Sequence, residues 1–496
     1  MYVLSESLVP RTQVCQIYDE VIMNKPATDV PGTKKPSLSL TKRVGLVLGG
    51  LAFLFPLVID IPGLGDPGSR MLAIFLLAII FWITEAIPLV ATAVLVIFLE
   101  VLMISSGAVI AAGGDIDPLP AADYFAALAN PVIILFLGGF MIAEGAEKYR
   151  LDRNIAAVLL KPFAGSIRIT VLGLMIITAL LSMFMSNTAT TATMFAVIMP
   201  IIVSLEDRKA RAGLALSIPL AANVGGIGTP VGTPPNAIAL GALESAGIHV
   251  SFVDWMIMAV PLMLVVLFAS WLLLCAIFLP KEGKMEVDLG KDWDRSRNAK
   301  LFYIITGTTI LLWMTEPLHG VSSNIVGFFP VVALLCMKVM EGSDVKKLDW
   351  PVLWLVSGGI ALGTGVGATG LDEWLVDSIP WGSFSPVLLL FVFGMIGLGL
   401  ANVISHSAAA NLLVPLAVSL AVSLDDINVI VVAVVVAIAT SFGMSLPIST
   451  PPNAIAYSTG EVSVKNMAIV GVIVGLLATL LLIFAVPPLW ELMGLV

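Results

Sequence analysis

Ser186-Asn187-Thr188 interrupts two stretches apolar enough to sit in lipid, and Ser405-His406-Ser407 does the same in the second half. Two further interruptions, NVGGIGTPVGTPPN at 223–236 and SFGMSLPISTPPN at 441–453, combine glycines with a Pro-Pro-Asn run. Pro removes a backbone donor and Gly frees φ, so a helix must unwind at these two segments. Unwound backbone survives in a membrane only where protein buries it or a wet cavity meets it. Each of the four breaks would begin a helix, with free N–H groups and the positive end of the helix dipole. They suit an anion. None of them contains Lys or Arg, so a carboxylate would be held by N–H groups, Thr and Ser hydroxyls and Asn amides. Two equivalent half-sites facing each other favour a small substrate with an anionic group at each end.

The elements that position these breaks are membrane-spanning. The 496 residues are 58% hydrophobic and only 12% charged, about half the charge of a soluble domain, with mean hydropathy +1.03. Many windows exceed the roughly 18 uncharged residues that cross a bilayer, 257–280 among the clearest. In such a chain the net charge of −9 does not indicate a charged partner, and nothing points to nucleic acid. Cys15, Cys275 and Cys336 are far apart and suggest neither disulfides nor a metal site. Residues 1–43 read as a cytoplasmic tail without a cleavable leader.

Positive residues set the orientation, because short cytoplasmic loops retain Lys and Arg. With the N-terminus inside, about eleven spans and two re-entrant hairpins (169–204 and 385–423) leave only Arg70 of the 25 Lys and Arg residues outside. The charges fix sides and not re-entrancy, since two full double spans would serve equally. Residues 44–280 form a first half, 281–300 a cytoplasmic linker and 301–496 a second half. The expected location is the cell inner (plasma) membrane, with several passes.

The halves repeat. Pro131, Gly138, Gly139, Leu151 and Asp152 pair with Pro351, Gly358, Gly359, Leu371 and Asp372 at an offset of 220. The hairpin tips pair at 219, the TPPN segments at 217, and Trp82-Ile83-Thr84-Glu85 pairs with Trp313-Met314-Thr315-Glu316 at 231. The assigned topology makes the repeats inverted, the signature of a secondary transporter with its substrate near the midplane.

WITEAIPL at 82–89, SNT at 186–188 and the paired TPPN segments resemble the divalent anion/sodium symporter family, in its INDY-type dicarboxylate branch. The resemblance covers nearly the whole chain from residue 44. It implies an all-α elevator-type homodimer, with substrate contacts from Asn187, Thr188, Thr233, Ser407, Thr450 and Pro451. It also implies a sodium site from Ser182, Ser186, Asn187 and Gly232, whose oxygens suit a hard cation. The family's second sodium site falls at Ala401, Ile404, His406 and Ser449. Ala401 supplies no side-chain oxygen and imidazole is a poor sodium ligand, so that site reads as degraded.

His406, if protonated, would put a positive charge where sodium sat. The favoured expectation is therefore dicarboxylate exchange (malate, succinate, 2-oxoglutarate) without obligatory sodium. The alternative is sodium-coupled di- or tricarboxylate symport, and no cofactor is implied beyond Na+ at the first-half site. A membrane-embedded enzyme is disfavoured because no catalytic cluster falls at membrane depth. An anion channel is disfavoured by the two closed hairpins. Glu85 and Glu316, near helix ends, read as groups that satisfy exposed N–H donors. The basic amphipathic segment 147–165 reads as a helix on the cytoplasmic surface.

Overall fold

The computed structural model describes residues 39–109, 118–163, 165–281, 284–285, 293–378, 384–424 and 427–495. Nearly all of the expected tail, with Cys15, and much of the 281–300 linker lie outside them.

The first half is α1 (Leu40–Val58), α2 (Asp66–Thr84), α3 (Leu89–Met103), α4 (Ala121–Ala126), α5 (Pro131–Lys148), α6 (Leu151–Leu159), α7 (Ile167–Ser182), α8 (Asn187–Ser204), α9 (Arg208–Gly226), α10 (Pro234–Ser245) and α11 (Phe252–Ile277). The second half is α12 (Arg297–Met314), α13 (Glu316–His319), α14 (Ser323–Cys336), α15 (Gly342–Val345), α16 (Trp350–Ala368), α17 (Leu371–Ser378), α18 (Pro386–Val403), α19 (His406–Val422), α20 (Val429–Ser441), α21 (Pro451–Ser458), α22 (Val464–Phe484) and α23 (Val486–Leu492). The described strand structure is a two-residue antiparallel pair, Gly165–Ser166 with Lys284–Met285. Eight helical stretches among the described residues are long and apolar enough to cross a bilayer, and five shorter apolar helices accompany them. The protein is an all-α, multi-pass membrane protein.

Both halves break where the sequence requires it. α9 stops at Gly226 and the chain resumes as α10 at Pro234; α20 stops at Ser441 and resumes as α21 at Pro451. Prolines at the first two helical positions start α10 and α21, since Pro presets a helical φ and its missing N–H is not needed there. At the hairpin tips Ser186 Oγ accepts from Ala189 N–H (3.1 Å) and Ser405 Oγ from Ala408 N–H (3.2 Å), so both outgoing limbs begin on the same serine cap.

The repeats lock together by exchange. Gly138 of α5 lies so close to α14 that an added Cβ would overlap the Gly327 carbonyl, and an added Cβ on Gly358 of α16 would overlap Ala93 of α3. Thus α14 packs on α5, and its repeat partner α3 packs on α16. The same crossing recurs around the breaks: α10 packs on α19 and α20, and α21 packs on α8 and α9.

Other repeated residues have matched roles. Trp82 Nε1 donates to Leu89 O (3.3 Å) at the start of α3, and Trp313 Nε1 to Ser323 O (3.1 Å) at the start of α14. Asp152, on α6, accepts from Thr193 Oγ1 (3.1 Å) on α8, and Asp372, on α17, accepts from Ser419 Oγ (2.9 Å) on α19. Each short helix therefore holds the outgoing limb of its own half's hairpin. Asp152, Asn154, Ala156 and Ala157 of α6, in the expected amphipathic segment, are buried, while Arg153, Val158 and Leu159 are exposed.

Glu85 and Glu316, expected to act alike, do not. Glu85 ends α2 in a left-handed conformation (φ 46°) and is exposed. Glu316 is buried, accepts from the Phe252 N–H that opens α11 (3.4 Å), and meets His249 Nε2 (3.1 Å). His249 also reaches Glu244 at the end of α10 (3.4 Å). Partial burial works against the charged imidazole, but the hydrogen bonds to Glu316 and Glu244 outweigh it and raise the His249 pKa above its ordinary value. A raised pKa in the folded state contributes stability in full below the unfolded value, and that stability is lost as pH rises through the folded value. The melting-temperature difference between wild type and His249→Gln is expected to be largest in mildly acid detergent solution and to shrink as pH rises through the raised folded-state value. A difference that grows with pH would contradict this linkage.

Candidate functional site

All four breaks meet at one cavity of about 280 Å³. Its wall includes the tips Ser186-Asn187-Thr188 and Ser405-His406-Ser407 and the segments around Thr233 and Thr450. The N-termini of α8, α10, α19 and α21 thus converge from both halves. Every residue expected to contact substrate (Asn187, Thr188, Thr233, Ser407, Thr450 and Pro451) lies on this wall. Phe136 and Phe140 of α5 and Leu89 and Val90 of α3 supply an apolar side. The lining contains no Lys or Arg among the described residues.

The donors differ from the expectation in one respect. The amides of Asn236 and Asn453 do not face a ligand: Asn236 Nδ2 donates to Gly226 O (3.0 Å) and Thr229 O (2.8 Å), and Asn453 Nδ2 to Met444 O (2.7 Å) and Leu446 O (3.1 Å). Their physical task is to satisfy carbonyls released where the helix unwinds, which would otherwise be buried without a partner. The Pro-Pro pairs bring no N–H at all, so α10 and α21 offer mainly their dipoles. Free N–H groups come from the hairpin tips, where the first turns at Asn187-Thr188 and His406-Ser407 lack intrahelical partners. The two threonines also differ. Thr450 Oγ1 accepts from Asn453 N–H (3.2 Å) and from Asn223 Nδ2 (3.3 Å), whereas Thr233 makes no side-chain cap.

Beside the first tip, oxygens crowd together. Ser182 Oγ lies 2.6 Å from Asn187 Oδ1 and donates to Ala222 O (2.8 Å). With the Asn187 amide turned, its Nδ2 donates to Ser182 Oγ (2.6 Å), Ala222 O (3.2 Å) and Gly232 O (3.3 Å). With Oδ1 facing inward, four oxygens share too few protons, an arrangement that suits a hard cation. Ser182, Asn187 and Gly232 are thus together, while Ser186 Oγ is engaged as the helix cap. Neither the Ala222 carbonyl nor Asn223 was among the expected residues. The carbonyl has no sequence signal, while Asn223 stands at the head of the Gly-rich break.

The equivalent place in the second half is filled differently. His406 is buried and its Nε2 lies 2.8 Å from Gly443 O, an imidazole N–H donating to a carbonyl of the unwound segment. Gly443 is packed directly against Ala401, and Ile404 is buried. The Ser449 hydroxyl donates to Leu446 O (2.6 Å). At the position that Asn187 holds in the first half, the second half therefore presents an imidazole N–H engaged with Gly443 O in place of an amide oxygen.

The sodium:sulfate symporter transmembrane region, as a family, matches residues 40–496. The chain belongs to this family. It is 31% identical over 496 residues to the sodium-dependent dicarboxylate transporter SdcS of Staphylococcus saprophyticus, covering 91% of this chain and 93% of the relative. The SdcS of Staphylococcus aureus is also 31% identical, over 495 residues, with 91% and 92% covered. In fold it is similar to the crystal structure of the Alcanivorax borkumensis YdaH transporter. The TM-score is 0.52, with 14% identity and coverage of 75% of this chain and 89% of that one. This symporter-family protein is a transporter and not an enzyme.

Proposed function

We propose that the protein carries small dicarboxylates of the malate, succinate and 2-oxoglutarate class across the membrane, coupled to sodium. The observation that carries this reading is the convergence of four helix N-termini, without Lys or Arg, beside the oxygen cluster at Asn187. Both SdcS relatives are named sodium-dependent, which favours sodium coupling over the sodium-free exchange expected from the second half. We place substrate between the hairpin tips and sodium among Ser182, Asn187, Ala222 and Gly232. The proposal includes an elevator movement of the broken-helix and hairpin body, a homodimer, and a cytoplasmic N-terminus in the inner membrane.

Succinate uptake into empty proteoliposomes should require an inward sodium gradient. Uptake only into succinate-loaded vesicles, indifferent to sodium, would restore the exchanger.

His406 bears on stoichiometry. Ala401 has no side-chain oxygen and His406 turns an N–H to Gly443 O, so the second half is expected to hold one cation fewer than a site with hydroxyl and amide oxygens. Ala401→Thr combined with His406→Asn should steepen the sodium dependence of uptake. An unchanged sodium curve would count against this account.

A further inference from the structure

One acidic residue, Asp349, stands at the solvent-exposed edge of the cavity where an anion is to bind. Asp349 is the N-cap of α16: its Oδ1 accepts from Val352 N–H (3.4 Å), and the residue shares the cavity wall with Pro351 and Val352. Capping requires an oxygen, not a charge, and the first repeat shows this directly. There Asn130, a neutral amide, caps α5 by accepting from Val132 N–H (2.9 Å), and it is not on the cavity wall. The nearby Lys347 is engaged by Glu144 (3.0 Å) and Asp344 (3.8 Å).

The attraction available to a substrate is also limited. Besides the sodium proposed beside Asn187, the wall offers four helix N-termini at about +0.5 charge each, roughly two positive charges. A third anionic group meets no cationic side chain on this wall and does meet Asp349. We infer that Asp349 is a specificity residue that sets an upper limit on substrate charge, admitting dianions and repelling trianions. The inference rests on the dicarboxylate reading and adds its charge limit.

Asp349→Asn keeps the capping oxygen and removes the charge. In proteoliposomes assayed with succinate, sulfate and citrate at neutral pH, it is expected to raise the citrate-to-succinate ratio of kcat/KM about three- to tenfold, the scale of one unit charge acting across a hydrated cavity. Asp349→Glu should retain the wild-type ratio. An unchanged ratio in Asp349→Asn, or equal losses for both anions, would overturn the inference by reducing Asp349 to a cap. Wild-type protein that carries sulfate and not succinate would instead overturn the dicarboxylate reading, leaving citrate against sulfate as the measure of Asp349. Carriage of none of the three would overturn both.

Discussion

Asn187→Ala is expected to lower the apparent sodium affinity of uptake by roughly 30- to 150-fold, the scale of losing one oxygen from a charged partner, about 2–3 kcal/mol. The residue is the junction of the site. Its amide can turn Oδ1 toward a cation or Nδ2 toward Ser182 Oγ, Ala222 O and Gly232 O, and its own N–H opens α8 toward the cavity. Sodium would thus be linked to the tip that meets the substrate, without a long-range route. The space is tight: a Cβ on Gly226 would fall 2.5 Å from Asn187 Oδ1. Asn187→Asp should keep sodium binding through its added charge and weaken succinate through the same charge. Sodium dependence that survives Asn187→Ala unchanged would remove this cluster from the mechanism. Uptake against sodium concentration, at fixed succinate, distinguishes the cases.

Gly138→Ala should destabilise the protein by about 2–3 kcal/mol. The added methyl would enter the Gly327 carbonyl on α14, backbone against backbone, with no side chain free to yield. Relief requires the two helices to separate along the interface that joins the halves. Gly307→Ala, in α12, meets nothing within 4 Å and should leave stability unchanged or raise it by up to about 1 kcal/mol. Melting temperatures in one detergent provide the comparison. Equal values for the two variants would show that the α5–α14 contact tolerates separation.

The repeat explains why so much of the architecture was legible. Gly138 and Gly358, Trp82 and Trp313, and the paired TPPN runs mark positions where local chemistry leaves few choices: a close helix approach, an indole seeking a carbonyl, a helix that cannot continue. Those constraints act within a few residues, so sequence patterning carries them. The donors at the breaks were less legible. The Asn of TPPN is polar and near the site, yet its amide is taken by Gly226 and Thr229 in one half and by Met444 and Leu446 in the other. Spacing announces that an amide is present and does not say which carbonyls the unwinding leaves for it.

By itself, then, the sequence determined a membrane-embedded repeat with four polar breaks, because hydropathy, Pro-Gly interruptions and recurring motifs are properties of the chain. Only the tertiary structure decided that Ala222 contributes a carbonyl beside Asn187, that Asp349 borders the same cavity as the tips, and that His406 meets Gly443. Each of these depends on segments remote in sequence being folded against one another. Backbone carbonyls carry no residue signature, and the direction of a side chain is set by what packs around it.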